Sequence, residues 1–272
     1  MPGMTDLPGS GRPGRLPQQR IVEKMDEYMS RRDYAGAERH LLYWLEESLV
    51  MRDERAQLML RGELIGHYRK MGQKEKGIEQ IRKALALIEE LSFGETISAA
   101  TTYVNAATAL CAFGENEKAL GLFDKAKEIY ETAKNTDQRL LGGLYNNMAL
   151  ALAALKRFDE ADVMFRKAYE AMSRVSGGKP EMAITCLNMA DAVCAGEGME
   201  KGEKRIYELL DKAQDLLDDP DIRRDGYYAF VCEKCAPSFS YYGYFQYAGE
   251  LEERSREIYD RNIRGEEQEK DR

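Results

Sequence analysis

The sequence predicts an all-α protein made of helical hairpins stacked in series, and three observations carry that prediction. Between Tyr103 and Ala168 the chain repeats itself at an offset of 42 residues: Tyr103 falls on Tyr145, Asn105 on Asn147, Ala107 on Ala149, Leu110 on Leu152, Ala119 on Ala161, Phe123 on Phe165, Lys125 on Lys167 and Ala126 on Ala168. A fixed period of this length marks an array whose units bury their apolar faces only against their neighbours. Within a unit, Tyr103, Ala107 and Leu110 share one helical face and Ala119, Phe123 and Ala126 another, with Gly114 between them, so each unit is two helices around a turn. No stretch of the chain reads as a strand.

In chain order, residues 1–17 hold four of the seven prolines and four glycines, a composition that sustains neither helix nor core and predicts a disordered leader. The first hairpin has Met25 and Tyr28 on its leading helix, Asp33 as turn or cap residue, and Tyr34, Ala37, Leu41, Trp44 and Leu45 on the apolar side of its second helix. The second spans about 54–91, with Gly72 supplying the positive φ that ends a helix. The third spans about 94–133 and turns at Gly114. The fourth spans about 137–175 and turns at Lys156-Arg157, with Phe158 following. The fifth runs from Pro180, suited to a first helical turn, to Leu217, with an insertion of about four residues expected to disturb the turn between Gly196 and Gly202. Pro220 opens the sixth, which contains nine of the chain's 25 aromatics between Tyr227 and Tyr247. Pro237 lacks the backbone N–H that a helix interior uses and predicts a kink or break. Tyr247-Ala248-Gly249-Glu250 echoes Tyr34-Ala35-Gly36-Ala37, the final helix is charged as an end cap should be, and residues 264–272 are expected to fray.

The alanines at 107, 119, 126, 149, 161 and 168, with aromatics between the paired helices, resemble the tetratricopeptide repeat. The 42-residue period is longer than that family's usual ~34 and is similar to the lengthened form of kinesin light chains and many bacterial sensor proteins. The resemblance extends over about 20–262, strongest in the two central repeats. It implies a right-handed superhelical solenoid of about six antiparallel helix pairs over residues 18–263, and a binding groove lined by the leading helices.

Composition excludes several functions. A formal charge of −8 and a pI near 5.2 argue against a nucleic-acid partner, whose phosphates call for clustered Lys and Arg. No segment approaches the ~18 apolar residues of a membrane span, and the N-terminus lacks a signal peptide's apolar core. Five cysteines without a framework fit a reducing, cytoplasmic compartment.

Enzyme chemistry has little to stand on: His40 and His67 are the two histidines, neither with a nucleophile nearby by spacing, and no phosphate-binding loop follows a strand. Cys232 and Cys235 could supply half of a zinc site or a redox couple, but the other ligands are missing, and two small buried hydrophobes is the favoured reading. No cofactor or metal is expected. The aromatic cluster at 227–247 either closes the end of the array or forms a docking surface. Adjacent pairs such as Tyr227-Tyr228 and Tyr241-Tyr242 cannot both face inward, so some aromatic surface stays exposed.

Three functional readings follow. The family resemblance implies a protein- or peptide-binding scaffold. On it the groove is lined by Asn105, Asn147 and Asn188, with Asn146 beside the second, and by Thr108, Leu150 and Asp191, while Arg69 and Lys70 stand at one end. The asparagine amides either bond an extended peptide or bond a neighbouring helix and set the stacking. The carboxylate-clamp lysines of one subfamily are absent, Val104, Asn146 and Leu187 standing there, so the groove should suit a mainly apolar segment with an acidic end. A second reading is a structural protein that forms a homodimer through its aromatic C-terminal unit. The third is a peptide-sensing regulator acting through another polypeptide.

Overall fold

The computed structural model describes residues 16–92 and 94–270, and of 262–270 the backbone alone. Among the described residues there are twelve α-helices and no strand. They pair as α1 (Gln18–Ser30) with α2 (Tyr34–Val50), α3 (Glu54–Lys70) with α4 (Lys74–Glu90), α5 (Ile97–Ala112) with α6 (Asn116–Thr132), α7 (Gln138–Ala154) with α8 (Phe158–Ser173), α9 (Lys179–Glu197) with α10 (Met199–Asp218), and α11 (Gly226–Tyr241) with α12 (Phe245–Lys270). This is the predicted class, an all-α repeat solenoid of six antiparallel helix pairs.

The turns recur because one left-handed residue reverses the chain. Gly114 has φ +81°, and the amides of Gly114 and Glu115 donate to Cys111 and Leu110 carbonyls at 3.0 and 2.8 Å, tying off the end of α5. Lys156 takes the same conformation at φ +61° without being glycine. Asp33 caps α2 by accepting from the Gly36 amide at 2.8 Å, the role the sequence assigned it.

Packing divides the chain into two compact units, residues 1–129 and 130–272. In the first, Ile21, Met25, Leu41, Leu60, Leu64 and Tyr68 form one buried cluster, and α3 packs against both α4 and α5. In the second, α7 packs on α8, α9 on both α8 and α10, and α11 on α9 and α12. Alanine lets paired helices approach: Ala107, Ala119, Ala126, Ala149, Ala161 and Ala168 are all 0% exposed, as the repeat register requires.

A second device recurs beside the alanines. In the first unit the Tyr68 hydroxyl donates to Glu38 Oε1 at 3.0 Å, and Lys76 reaches the same oxygen at 2.8 Å while lying 5.4 Å from the Tyr68 ring. In the second, Tyr145 donates to Glu131 at 2.7 Å and Lys167 lies 5.2 Å from its ring. A tyrosine hydroxyl and an ammonium thus converge on one carboxylate from the preceding helix pair, with the ammonium also over the ring's negative face.

Four expectations need adjustment. The extra residues near Gly196–Gly202 form no loop: α9 and α10 run to 19 and 20 residues and leave Gly198 alone between them, at φ +82°. Pro220 opens no helix, since α11 starts at Gly226, where Asp225 accepts from the Tyr227 and Tyr228 amides. Pro237 does not break α11. It stands on the exposed side, four residues before the helix ends at Tyr241, where the carbonyl it leaves without a donor can meet water. Finally, α12 continues to Lys270, past the start of the expected fray. Residues 1–15, the bulk of the expected leader, and 271–272 lie outside the described residues. Leu16 is buried, and its amide donates to Asp53 Oδ2 at 3.1 Å.

Candidate functional site

In the second unit three leading helices, α7, α9 and α11, line a cleft of about 270 Å³, with Met172 of α8 at its base. Its shape follows from local sequence. Gly142 has no room for a side chain, because a Cβ there would lie 2.5 Å from Met172 Sδ, whereas Gly143 next to it faces open space. On α11 the Asp225 cap sets the start of the helix. Tyr228 then turns fully inward, its hydroxyl on the Leu217 carbonyl at 3.1 Å, and Tyr227 and Phe230 turn into the cleft, 46% and 49% exposed, with ring centroids 6.2 Å apart.

The polar groups are few. Burial first, then the nearby negative Glu181 carboxylate, pushes the pKa of the Tyr227 phenol well up. Glu181 Oε2 is buried without a hydrogen-bond partner. Arg139 donates to the Ser176 carbonyl at 2.9 Å, and Lys234 completes the lining with a second cation.

Of the groove residues expected from sequence, Asn146 lines this cleft. Its Oδ1 accepts from Asn188 Nδ2 at 3.0 Å, so for this pair the amides set helix stacking. In α9 the buried Cys186, Ala190 and Val193 hold the places of Tyr145, Ala149 and Leu152, which makes Asn188 the counterpart of Asn147, although its bond is to Asn146. Asn147 is half-buried and Leu150 is exposed. Asp191 accepts from the Tyr242 hydroxyl at 2.9 Å, and desolvation raises its pKa against that bond.

In the first unit Asn105 is exposed, its amide nitrogen facing the space over Gly62. The Thr108 hydroxyl turns back to the Val104 carbonyl at 2.8 Å. Arg69 and Lys70 are exposed, with Lys70 Nζ 5.3 Å from the Tyr34 ring. Arg139, Glu181, Phe230 and Lys234 were not singled out from sequence; Tyr227 was, as one of an adjacent pair that could not both face inward.

Elsewhere, His40 Nε2 is 3.1 Å from the Ile21 carbonyl, and burial lowers the pKa of His67. Cys232 and Cys235 are buried free thiols, both with pKa raised by burial. Among the described residues no group of three or more His, Cys, Asp or Glu could hold a metal ion, and no helix is long and apolar enough to cross a membrane.

Two tetratricopeptide-repeat family models match the chain, one over residues 55–132 and one over 142–181, and neither describes a catalytic family. No curated protein matches the sequence. Among solved structures, BtubC (BKLC) from P. vanneervenii superposes with a TM-score of 0.64 at 20% identity, over 76% of this chain and 84% of that one. A Podospora anserina kinesin light chain with nearly identical TPR-like repeats gives 0.55 at 18%, over 77% and 98%. A Rap protein complexed with competence and sporulation factor gives 0.54 at 13%, over 90% and 75%. With the alanine register, the left-handed turns and the matched models in agreement, residues 55–132 and 142–181 are tetratricopeptide repeats, and the fold around them is that of a tetratricopeptide-repeat protein.

Proposed function

We propose that the chain is a non-enzymatic scaffold that binds an extended segment of another protein along its leading helices, anchored in the cleft between α7, α9 and α11. The observation that carries this reading is the meeting, in one cleft, of two exposed aromatic rings with a buried acceptor that has no donor. A buried polar atom without a partner costs about 1–3 kcal/mol, which a bound N–H would relieve. The exposed rings gain only when something covers them. An extended segment supplies both, a side chain over Tyr227 and Phe230 and a donor to Glu181. At about 270 Å³ the cleft falls below the ~300–1,000 Å³ of drug-sized ligand sites, so it suits one anchoring side chain and not a whole metabolite. Arg139 and Lys234 favour an acidic residue beside that anchor. The similar Rap protein is complexed with competence and sporulation factor, which fits a binding role for this fold.

On this reading Asn147 and Leu150, in the same unit as the cleft, meet other parts of the segment. A library of displayed peptides, selected on the intact chain, tests it. Phe230→Ala should remove most of the affinity for the selected peptide, and Asn147→Ala should cost about 1–3 kcal/mol. Full affinity in a variant with Asn147 and Phe230 both changed to alanine would overturn it. A second reading, self-association through the last hairpin, rests on Tyr241 and Phe245, which are 74% and 72% exposed at its turn.

A further inference from the structure

The outward face of α2 differs from that of α4, α6 and α8. The second helices align on the buried small residue four positions before a large buried one, Ala37 before Leu41 in α2, Gly77 before Ile81 in α4 and Ala161 before Phe165 in α8. Leu42, Tyr43, Leu49 and Val50 then occupy the places of Arg82, Lys83, Glu89 and Glu90 in α4. In α8 the same places hold Arg166, Lys167, Ser173 and Arg174, and in α6 Asp124, Lys125, Glu131 and Thr132. The array keeps these positions polar, and α2 departs from that at all four. Its four side chains are 36%, 55%, 50% and 80% exposed. At 3.6 residues per turn they form one stripe, which the exposed Ala35, Arg39 and Glu46 on the same side extend to about four turns. Among the described residues neither Arg39 nor Glu46 forms an ion pair within the chain.

We propose that this face is covered by the same face of a second copy of the chain, the two α2 helices running antiparallel about a two-fold axis that passes between Leu42 and Tyr43. Arg39 and Glu46 are equidistant from that midpoint and opposite in sign. One rotation therefore sets Arg39 of each copy against Glu46 of the other, Leu42 against Tyr43, and the small Ala35 against Val50. A parallel pairing in register would instead set Arg39 against Arg39 and Glu46 against Glu46, like charges in contact. An isologous dimer needs a self-complementary patch, and charges of opposite sign placed evenly about one midpoint provide it. A contact of one helix pair, each helix about 25 Å long, lies at the low end of the ~1,200–2,000 Å² that stable interfaces bury. The dimer is therefore reversible, exchanging with monomer at micromolar concentrations.

Sedimentation velocity of the intact chain over micromolar to millimolar concentrations tests this, with circular dichroism to verify folding of each variant. Arg39→Glu alone and Glu46→Arg alone each put like charges at both contacts and should weaken dimerisation at least ~10-fold. The combined Arg39→Glu/Glu46→Arg variant should restore it, and mixing the two single variants should give a heterodimer. A chain that stays monomeric overturns the proposal, as does a dimer that neither single variant weakens, the result expected of an interface at the last hairpin. So does a monomer that dimerises once residues 1–15 are removed, because that segment would then be the cover.

Discussion

Tyr145→Phe tests what ties successive helix pairs together. The substitution removes one oxygen and keeps the ring, so no cavity opens around a residue that is 8% exposed. What is lost is the hydroxyl's bond to Glu131 at 2.7 Å, in a site where Lys167 Nζ stands 3.4 Å from the same oxygen. A hydrogen bond to a charged group contributes about 1.5–3 kcal/mol when well shielded. The Glu131 and Lys167 side chains are 38% and 45% exposed, so water replaces part of it and the expected loss is about 1 kcal/mol. For a chain of this length that lowers Tm by about 2–4 °C. Lys167→Met, which keeps the stem over the ring and removes only the exposed charge, should cost about 0.5 kcal/mol or less. Because both groups act on one carboxylate oxygen, the double variant should show a coupling of about 0.5 kcal/mol. Urea unfolding followed by helical circular dichroism measures all three. A Tyr145→Phe variant as stable as the parent, or strict additivity with Lys167→Met, would mean that the hydroxyl and the ammonium do not act together on the Glu131 carboxylate.

Ala161→Leu adds three carbons at a 0%-exposed contact with no change in helix propensity to offset them, and should destabilise by about 1–3 kcal/mol; an unchanged melting temperature would contradict the assigned register. Cys232 and Cys235 are 0% and 1% exposed, and burial pushes the Cys235 thiol up to about 12, so mass spectrometry should find neither labelled by a thiol reagent until denaturant is added. Lys118, and after it Lys74, hold the Glu115 carboxyl down at about 2. An acid depressed by folding stabilises the protein above its unfolded pKa of about 4.3, and that contribution is lost as pH falls from there through 2. Lys74→Met should therefore flatten the acid limb of a stability–pH profile between about pH 4 and 2, and an acid limb identical to the parent's would exclude the pair.

The hairpins were legible because the repeat imposes one pattern several times: Ala107 and Ala149, or Phe123 and Phe165, meet the same packing constraint in successive units. Where a unit departs from the pattern, local reasoning misplaced the consequence. The residues around Gly198 read as a disturbed turn but lengthen two helices, because a helix absorbs extra residues by adding hydrogen bonds whereas a loop leaves backbone groups to be satisfied. Pro237 read as a break, yet an exposed position near a helix end tolerates it. The cleft was hidden for a different reason. Arg139, Glu181 and Tyr227 lie on three helices separated by the second helices between them, and only the stacking of α7, α9 and α11 brings them together. The α2 stripe escaped notice because Leu42 and Tyr43 stand beside the core residue Leu41 and look like more of the same core. Only comparison with Arg82 and Lys83 in the folded array shows that they face outward.

A partner segment that lies on leading helices and is anchored between α7, α9 and α11 shields the amides of those helices from exchange. Amide hydrogen exchange of the intact chain, with and without a display-selected peptide, tests it most directly. The prediction is added protection in residues 138–154, 179–197 and 226–241, the spans of those three helices. Protection confined to the second helices α8, α10 and α12 would contradict it.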